Sequence, residues 1–199
     1  MRELTTDRGL AERYIPHLRY DRAEPYSPEG VGYTVYTAQD ACQTDAVPLT
    51  AVRSRSCRLQ IEMKPGETVI EYAFYYDFDI QHLYDLEHVF VKVDREGGIT
   101  GILGSFHGKF LNNLIEGETQ FEDTHVILYV QPGKHAFVPT WEFTARHPNP
   151  GIVQRPGRYT AGDVHRAEDV LMPWEELDEL IVERITEWKD RIERAAEQP

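Results

Sequence analysis

The chemistry in this chain is concentrated between Asp77 and His88. The segment Asp77-Phe78-Asp79-Ile80-Gln81-His82-Leu83-Tyr84-Asp85-Leu86-Glu87-His88 places four acidic groups and two imidazoles within twelve residues. The aromatic run Tyr72-Ala73-Phe74-Tyr75-Tyr76 precedes it, and the apolar alternation Val89-Phe90-Val91-Lys92-Val93 follows. Charge beside buried-strand sequence is costly unless it is compensated, and coordination of a metal is one form of compensation. The donor set decides the ion. Carboxylate oxygens in the majority, with one or two imidazoles and no thiolate, suit Mg²⁺, Mn²⁺ or Ca²⁺ better than Zn²⁺.

Spacing assigns the ligands. Side chains alternate along a strand, so Asp85 and Glu87 point the same way and His88 points the other. His82, three residues before Asp85, suits a turn that delivers one more ligand, and Asp77 closes the set from the end of the preceding strand. The competing reading is a solvated acidic hairpin loop. The apolar runs on both sides favour a site over that loop.

The elements around this segment read mainly as strands. Gly32–Thr37, Val69–Tyr76, Glu87–Val93, Ile99–Phe106 and His125–Val130 are rich in β-branched and aromatic residues and are separated by turn signals such as Lys64-Pro65-Gly66-Glu67. Thr5-Thr6-Asp7 caps a short N-terminal helix that Pro16 ends. Residues 38–50 read as loop. Residues 145–163 carry three prolines and three glycines and read as one long loop. Trp174, Leu177, Ile181, Ile185, Trp188 and Ile192 recur at intervals of three and four, an apolar stripe on an amphipathic helix that starts at Pro173. The stripe predicts burial of both tryptophans against the body of the domain, with a homodimer through the same helix as the second reading. The expected fold is a two-sheet β-sandwich with a short N-terminal helix and a long C-terminal one. Residues 1–170 form the sandwich and residues 171–199 the helix.

At this point a family comes into view. His82-x-x-Asp85-x-Glu87-His88-Val89 resembles the core motif of the necrosis-inducing phytotoxin (Nep-like) family, which reads Gly-His-Arg-His-Asp-Trp-Glu. Tyr72–Asp77 is similar to the aromatic strand and aspartate that precede it there. Gln81, Tyr84 and Leu86 stand where the family has Gly, His and Trp. Ala11–Asp21, with Glu24-Pro25-Tyr26-Ser27-Pro28, looks like the opening of the related vacuolar-sorting-protein-like domains. The resemblance implies a β-sandwich and a divalent metal held by Asp77, His82, Asp85 and Glu87. It also implies that His135, in the Gly133-Lys134-His135-Ala136 turn, lines the pocket of Asp85, with His107 as a further member. From the residues alone, His107-Gly108-Lys109-Phe110 reads equally as an active loop or as a polar strand end. Glu24 reads as a surface salt-bridge partner, with an acceptor behind the metal ligands as the second reading.

Composition narrows the partners. The 199 residues carry 34 acidic against 21 basic side chains, a formal charge of −13. That balance argues against nucleic acid and against anionic lipid, and it suits cations. No apolar run approaches the ~20 residues of a membrane span. Met1-Arg2-Glu3-Leu4 opens into polar sequence without the form of a secretory signal, so a cytoplasmic protein is expected. Cys42 and Cys57 are expected as reduced thiols, with a disulfide between them as the second reading.

No reaction-specific motif is present: no Gly-x-Ser-x-Gly, phosphate loop, dinucleotide fingerprint or His-Glu-x-x-His. The expected function is therefore divalent-metal binding of undefined activity. Two finer readings stand beside it. One is a metal-dependent hydrolase in which His107 or His135 moves protons and Lys109 steadies an anion. The other is a module that binds a sugar or polar headgroup. His88 and Tyr84 are the remaining candidates for the pocket wall.

Overall fold

The computed structural model describes residues 7–22, 24, 26–40, 42–43, 50–79, 82–146 and 159–196. In chain order its elements are α1 (Asp7–Tyr14), β1 (His17–Asp21), β2 (Gly30–Tyr36), β3 (Cys42–Gln43), β4 (Thr50–Arg53), β5 (Gln60–Met63), β6 (Thr68–Tyr76) and β7 (Asp85–Val93). There follow β8 (Ile99–Phe106), β9 (Lys109–Asn112), β10 (Gln120–Glu122), β11 (His125–Val130), β12 (Phe137–Val138), α2 (Trp141–Arg146), β13 (Tyr159–His165), β14 (Leu171–Pro173) and α3 (Trp174–Ala196).

The two longest strands, β6 and β7, are the ones richest in aromatic and β-branched residues, and they lie at the centre of a six-stranded sheet ordered β14-β2-β6-β7-β8-β9. A second sheet runs β10-β11-β1-β13, with β12 attached to β11. The two sheets form a mainly β sandwich with a short N-terminal helix and a long C-terminal one. The core between them joins Tyr72, Phe74, Tyr76, Val89 and Val91 of β6 and β7 to Leu18, Val126, Leu128 and Val130 of the facing sheet. A small sheet, β3-β4-β5, covers a different apolar cluster, Tyr36, Val52, Ile61, Met63, Val69 and Phe90. One pairing reaches across the chain: β1 runs parallel to β11, with Tyr20 beside Val130. It brings the segment after residue 20 next to the turn after residue 130.

Three expectations are corrected. Of the loop expected over residues 145–163, residues 145–146 end helix α2 and residues 159–163 belong to strand β13, antiparallel to β1, while residues 147–158 lie outside the described residues. Residues 38–50 are not wholly loop, since β3 and the start of β4 pair there. The α3 stripe is buried only at its beginning. Leu177 and Ile181 pack on Ala73 and Tyr75, but both tryptophans are only half-buried and Ile192 is 52% exposed. The helix is about 35 Å long, and its main contacts are with β2, β14 and β6. The turns beyond Ile181 reach past these strands, and there Trp188 meets the edge of Phe78 at 5.0 Å and the guanidinium of Arg191 from its own helix. The thiol of Cys57 is free, and the side chain of Cys42 lies outside the described residues.

Glycines on β2 let α3 come close. A Cβ on Gly30 or on Gly32 would lie 2.7 Å from a Leu177 methyl. The anchoring of α3 is therefore expected to rest on Leu177 and not on the distal stripe. In urea unfolding, Leu177→Ala should lose about 2–5 kcal/mol, the cost of emptying a packed site. Ile192→Ala should change stability by no more than about 0.5 kcal/mol. Equal losses in the two variants would refute this description of the helix.

Candidate functional site

The register of β6 and β7 builds the site. Tyr76 pairs with Asp85, Phe74 with Glu87 and Ala73 with His88. Asp85 and Glu87 thus share the face of Tyr72, Phe74 and Tyr76, which line the central core, whereas His88 lies on the opposite face with Ala73 and Tyr75. The two carboxylates sit at the end of β7 where the apolar filling stops.

His135 is the centre of the group. Its side chain is completely buried and lies flat on the Tyr76 ring, with centroids 3.8 Å apart and planes 2° from parallel. Its Nδ1 is 3.0 Å from Asp85 Oδ2, and its Nε2 is 3.5 Å from Glu24 Oε1. Burial works against a charge on this ring, but Asp85 and Glu24 outweigh it and hold the pKa up at about 9. The turn that presents His135 is strained: Gly133 and His135 have φ of 67° and 49°, and the Gln131 carbonyl accepts the N–H groups of Lys134 and His135. Glu24 is as buried as His135 and accepts the N–H of Gly133 at 2.5 Å. It is an interior acceptor, not a surface salt bridge.

Around this centre the charges are uneven. Glu87 accepts a hydrogen bond from the Ser105 hydroxyl, and that same hydroxyl accepts the N–H of His88 at 2.7 Å. Burial, with Asp85 beside it, pushes the Glu87 carboxyl up to about 8. Asp79 is buried too, and its two oxygens accept from Lys134 Nζ at 2.8 Å. His82 Nδ1 stands 2.9 Å from Asp79, with its ring 65% exposed. Among the described residues, four carboxylates, from Glu24, Asp79, Asp85 and Glu87, therefore stand around two cationic groups, the buried His135 and the partly buried Lys134.

The sequence candidates separate accordingly. Asp85, Glu87 and His135 come together, and His82 joins them through Asp79. His107 adjoins them: its Nε2 is 2.6 Å from the Gln131 side chain, and it sits with Gly108 in a tight hairpin turn with φ of 50° and 74°. Asp77 does not join. Its carboxylate faces Arg184 Nε at 3.9 Å, because the alternation of β6 carries it to the side of Tyr75. Tyr84 is 46% exposed on that same side, 6.5 Å from the Tyr75 ring. Lys109 is exposed at the start of β9, and the ammonium in the group is that of Lys134. Asp79 and Lys134 also belong to the group, from within the segments Asp77–His88 and Gly133–Ala136, and no spacing rule in the sequence singles them out.

Among the described residues, two groups bring three metal-ligating atoms within 4.8 Å of one another, and neither includes Asp85 or Glu87. The first is His17, His125 and Glu168. The His17 and His125 rings are stacked 4.1 Å apart, and both nitrogens of His17 already face carboxylates, Glu122 at 2.8 Å and Glu168 at 3.0 Å. The second is Cys57, Glu71 and His88, on the outer face of β6 and β7. Burial raises the pKa of the Cys57 thiol and lowers that of His88. Among the described residues no helix is long and apolar enough to cross a membrane.

No family model and no curated protein matches this chain. Solved structures do. One is the crystal structure of Necrosis and Ethylene inducing Protein 2 from the causal agent of cocoa's Witches Broom disease, at 22% identity and a TM-score of 0.42, covering 70% of this chain and 71% of that one. Another is NLPPya in complex with mannosamine, at 17% identity and a TM-score of 0.46, covering 87% and 76%. A third is the non-toxic HaNLP3 protein, at 18% identity and a TM-score of 0.44, covering 87% and 78%. These structures come from the same Nep1-like, necrosis-inducing family that the segment His82–Val89 resembles.

Proposed function

We propose that this protein binds a divalent cation at Asp85 and Glu87, with Asp79 and His82 beside it, and presents that cation to a small oxygen-rich ligand. The observation that carries the reading is the charge surplus. Asp79 is set against Lys134; among the described residues Glu24, Asp85 and Glu87, when all ionised, then hold two negative charges more than His135 neutralises. One divalent cation removes that surplus. Carboxylate donors select a hard ion, Mg²⁺, Mn²⁺ or Ca²⁺. His135 then serves to position Asp85, and Lys134 to position Asp79, so that each carboxylate keeps its orientation when the ion arrives.

An aromatic rim favours a sugar as the ligand. Tyr26, 42% exposed, lies 5.4 Å from Phe78, which in turn meets Trp188. Tyr26 donates its N–H to Glu24, and Phe78 directly precedes Asp79. Ring faces beside a cation with free coordination positions suit a molecule with hydroxyls on its edges and apolar C–H faces. A hydrolase would need an imidazole free to take a proton. His135 is fixed between two carboxylates and His107 is engaged with Gln131, so binding is preferred to catalysis. A homodimer, if formed, would use Val182, Ile185 and Ile192, the exposed apolar residues of α3.

Two measurements follow. The first is thermal unfolding with cation or chelator. A cation at a hundredfold excess over its dissociation constant should stabilise the fold by about 2.7 kcal/mol, a rise in melting temperature on the order of 5–10 °C. Asp85→Asn should lose most of that rise and Asp77→Asn should keep it. A rise in the Asp85 variant equal to that of the wild type would contradict the assignment.

The second is the pH profile of the metal-free protein. Glu87 and His135 both have folded pKa values above their ordinary ones, about 8 against 4.5 and about 9 against 6.5. Their contributions to stability are therefore fully present below the ordinary values and are lost as pH rises through about 8 and about 9. Stability should fall between pH 5 and pH 9, and the cation effect should grow over the same range. Glu87→Gln should raise stability by about 3 kcal/mol at pH 7 and by little at pH 4.5. A pH-independent effect of this substitution would show that repulsion in the pocket is not its cause.

A further inference from the structure

Strands β6 and β7 bury polar groups on both faces. The outer face carries Glu71, 2% exposed, and His88, 6% exposed. Glu71 pairs with Phe90 and His88 with Ala73, so the two side chains are diagonal neighbours on one face. Cys57, in the bend between β4 and β5, closes over them. One ligand atom from each of the three lies within 4.8 Å of the other two. The surroundings are apolar: Tyr36, Val52, Ile61, Val69 and Phe90 form the cluster on which Cys57 packs.

Three features separate this group from an ordinary hydrogen-bonded core. Among the described residues no cation pairs with Glu71, although its carboxylate is buried. Its oxygens accept three hydroxyls, Tyr36 at 2.5 Å, Ser54 at 2.6 Å and Ser56. A carboxylate offers about four acceptor sites, so one remains. The third feature is His88, whose Nε2 is buried without a hydrogen-bond partner. A buried imidazole nitrogen left bare is costly unless something binds it.

We propose that Cys57, Glu71 and His88 form a zinc site on the outer face of the sheet, separate from the acidic pocket on the inner face. Thiolate, imidazole and carboxylate are the donor types that zinc takes, and three protein ligands leave a fourth position for water. The charges balance: two positive on the ion, one negative each on Cys57 and Glu71, none on His88. Binding forms one Zn–S, one Zn–O and one Zn–N bond and breaks the S–H bond, whose proton passes to solvent. The hydroxyls of Tyr36, Ser54 and Ser56 hold the carboxylate oriented, as outer-shell donors do. Ligands of a tetrahedral ion stand roughly 3–4 Å apart, given bonds of about 2.0–2.3 Å, so a small inward turn of the half-exposed Cys57 completes the set. In the His17–His125–Glu168 group the imidazoles are already engaged: both nitrogens of His17 face carboxylates, and Nδ1 of His125 is 2.8 Å from the Ile15 carbonyl.

The test uses Co²⁺ as a spectroscopic substitute on the reduced, chelator-treated full chain, with excess Mg²⁺ present to fill the acidic pocket. One equivalent of Co²⁺ should produce a sulfur-to-cobalt charge-transfer band that Zn²⁺ abolishes. The band should be absent in Cys57→Ser and retained in Cys42→Ser and in Glu87→Gln. No band in the wild type, or a band that survives Cys57→Ser, overturns the proposal. As an independent readout, Zn²⁺ should slow modification of the single thiol of Cys42→Ser by more than about tenfold, because a metal-bound sulfur is withheld from the reagent. An unchanged rate would also overturn it.

Discussion

The pairing of β6 with β7 is the constraint on which the rest depends. These strands are matched over nine residues in an unbroken antiparallel register, and both faces of the pair are covered. Alternation along such strands leaves no freedom about which side chain goes where. Glu87 must enter the inner face and His88 the outer. Each face is apolar along most of its length, so each polar group that arrives there has to be met by something. His135, Ser105 and Lys134 meet the inner ones, and the hydroxyls around Glu71 meet one of the outer ones.

Electrostatics explains why the inner group is not simply a satisfied core. A buried histidine between two carboxylates, stacked on a tyrosine, is a fixed positive charge. It steadies Asp85 and Glu24 but leaves Glu87 close to Asp85, with the Ser105 hydroxyl as its donor among the described residues. The metal-free pocket relieves the strain by keeping Glu87 protonated across neutral pH. A cation relieves it by letting the carboxylate ionise. The same side chain thus records both states, and protons and metal compete for it.

Much of this arrangement was legible in the sequence, and the parts that were not have physical reasons. The common face of Asp85 and Glu87, and the opposite face of His88, follow from a period of two. The same rule, extended from Tyr72, Phe74 and Tyr76 through Tyr75, would have sent Asp77 to the outer face, where it meets Arg184. Asp79 reaches the pocket through a turn in which its N–H bonds the His82 carbonyl, and no periodicity announces that. Glu24 and Gly133 meet because β1 lies parallel to β11, a pairing between segments more than a hundred residues apart with no local signal. Strand β13 was hidden because glycines and prolines around it read as loop. The α3 stripe was read correctly as amphipathic but credited with more burial than the strands beneath it can provide.

The central claim is that Asp85 and Glu87 hold a cation on the inner face. Anomalous diffraction from crystals grown with Mn²⁺ tests it most directly. The account predicts a manganese peak bonded to oxygens of Asp85 and Glu87, within reach of Asp79 and His82 and away from Asp77. Well-ordered crystals with no peak at that position, or with the only peak elsewhere in the molecule, would contradict it.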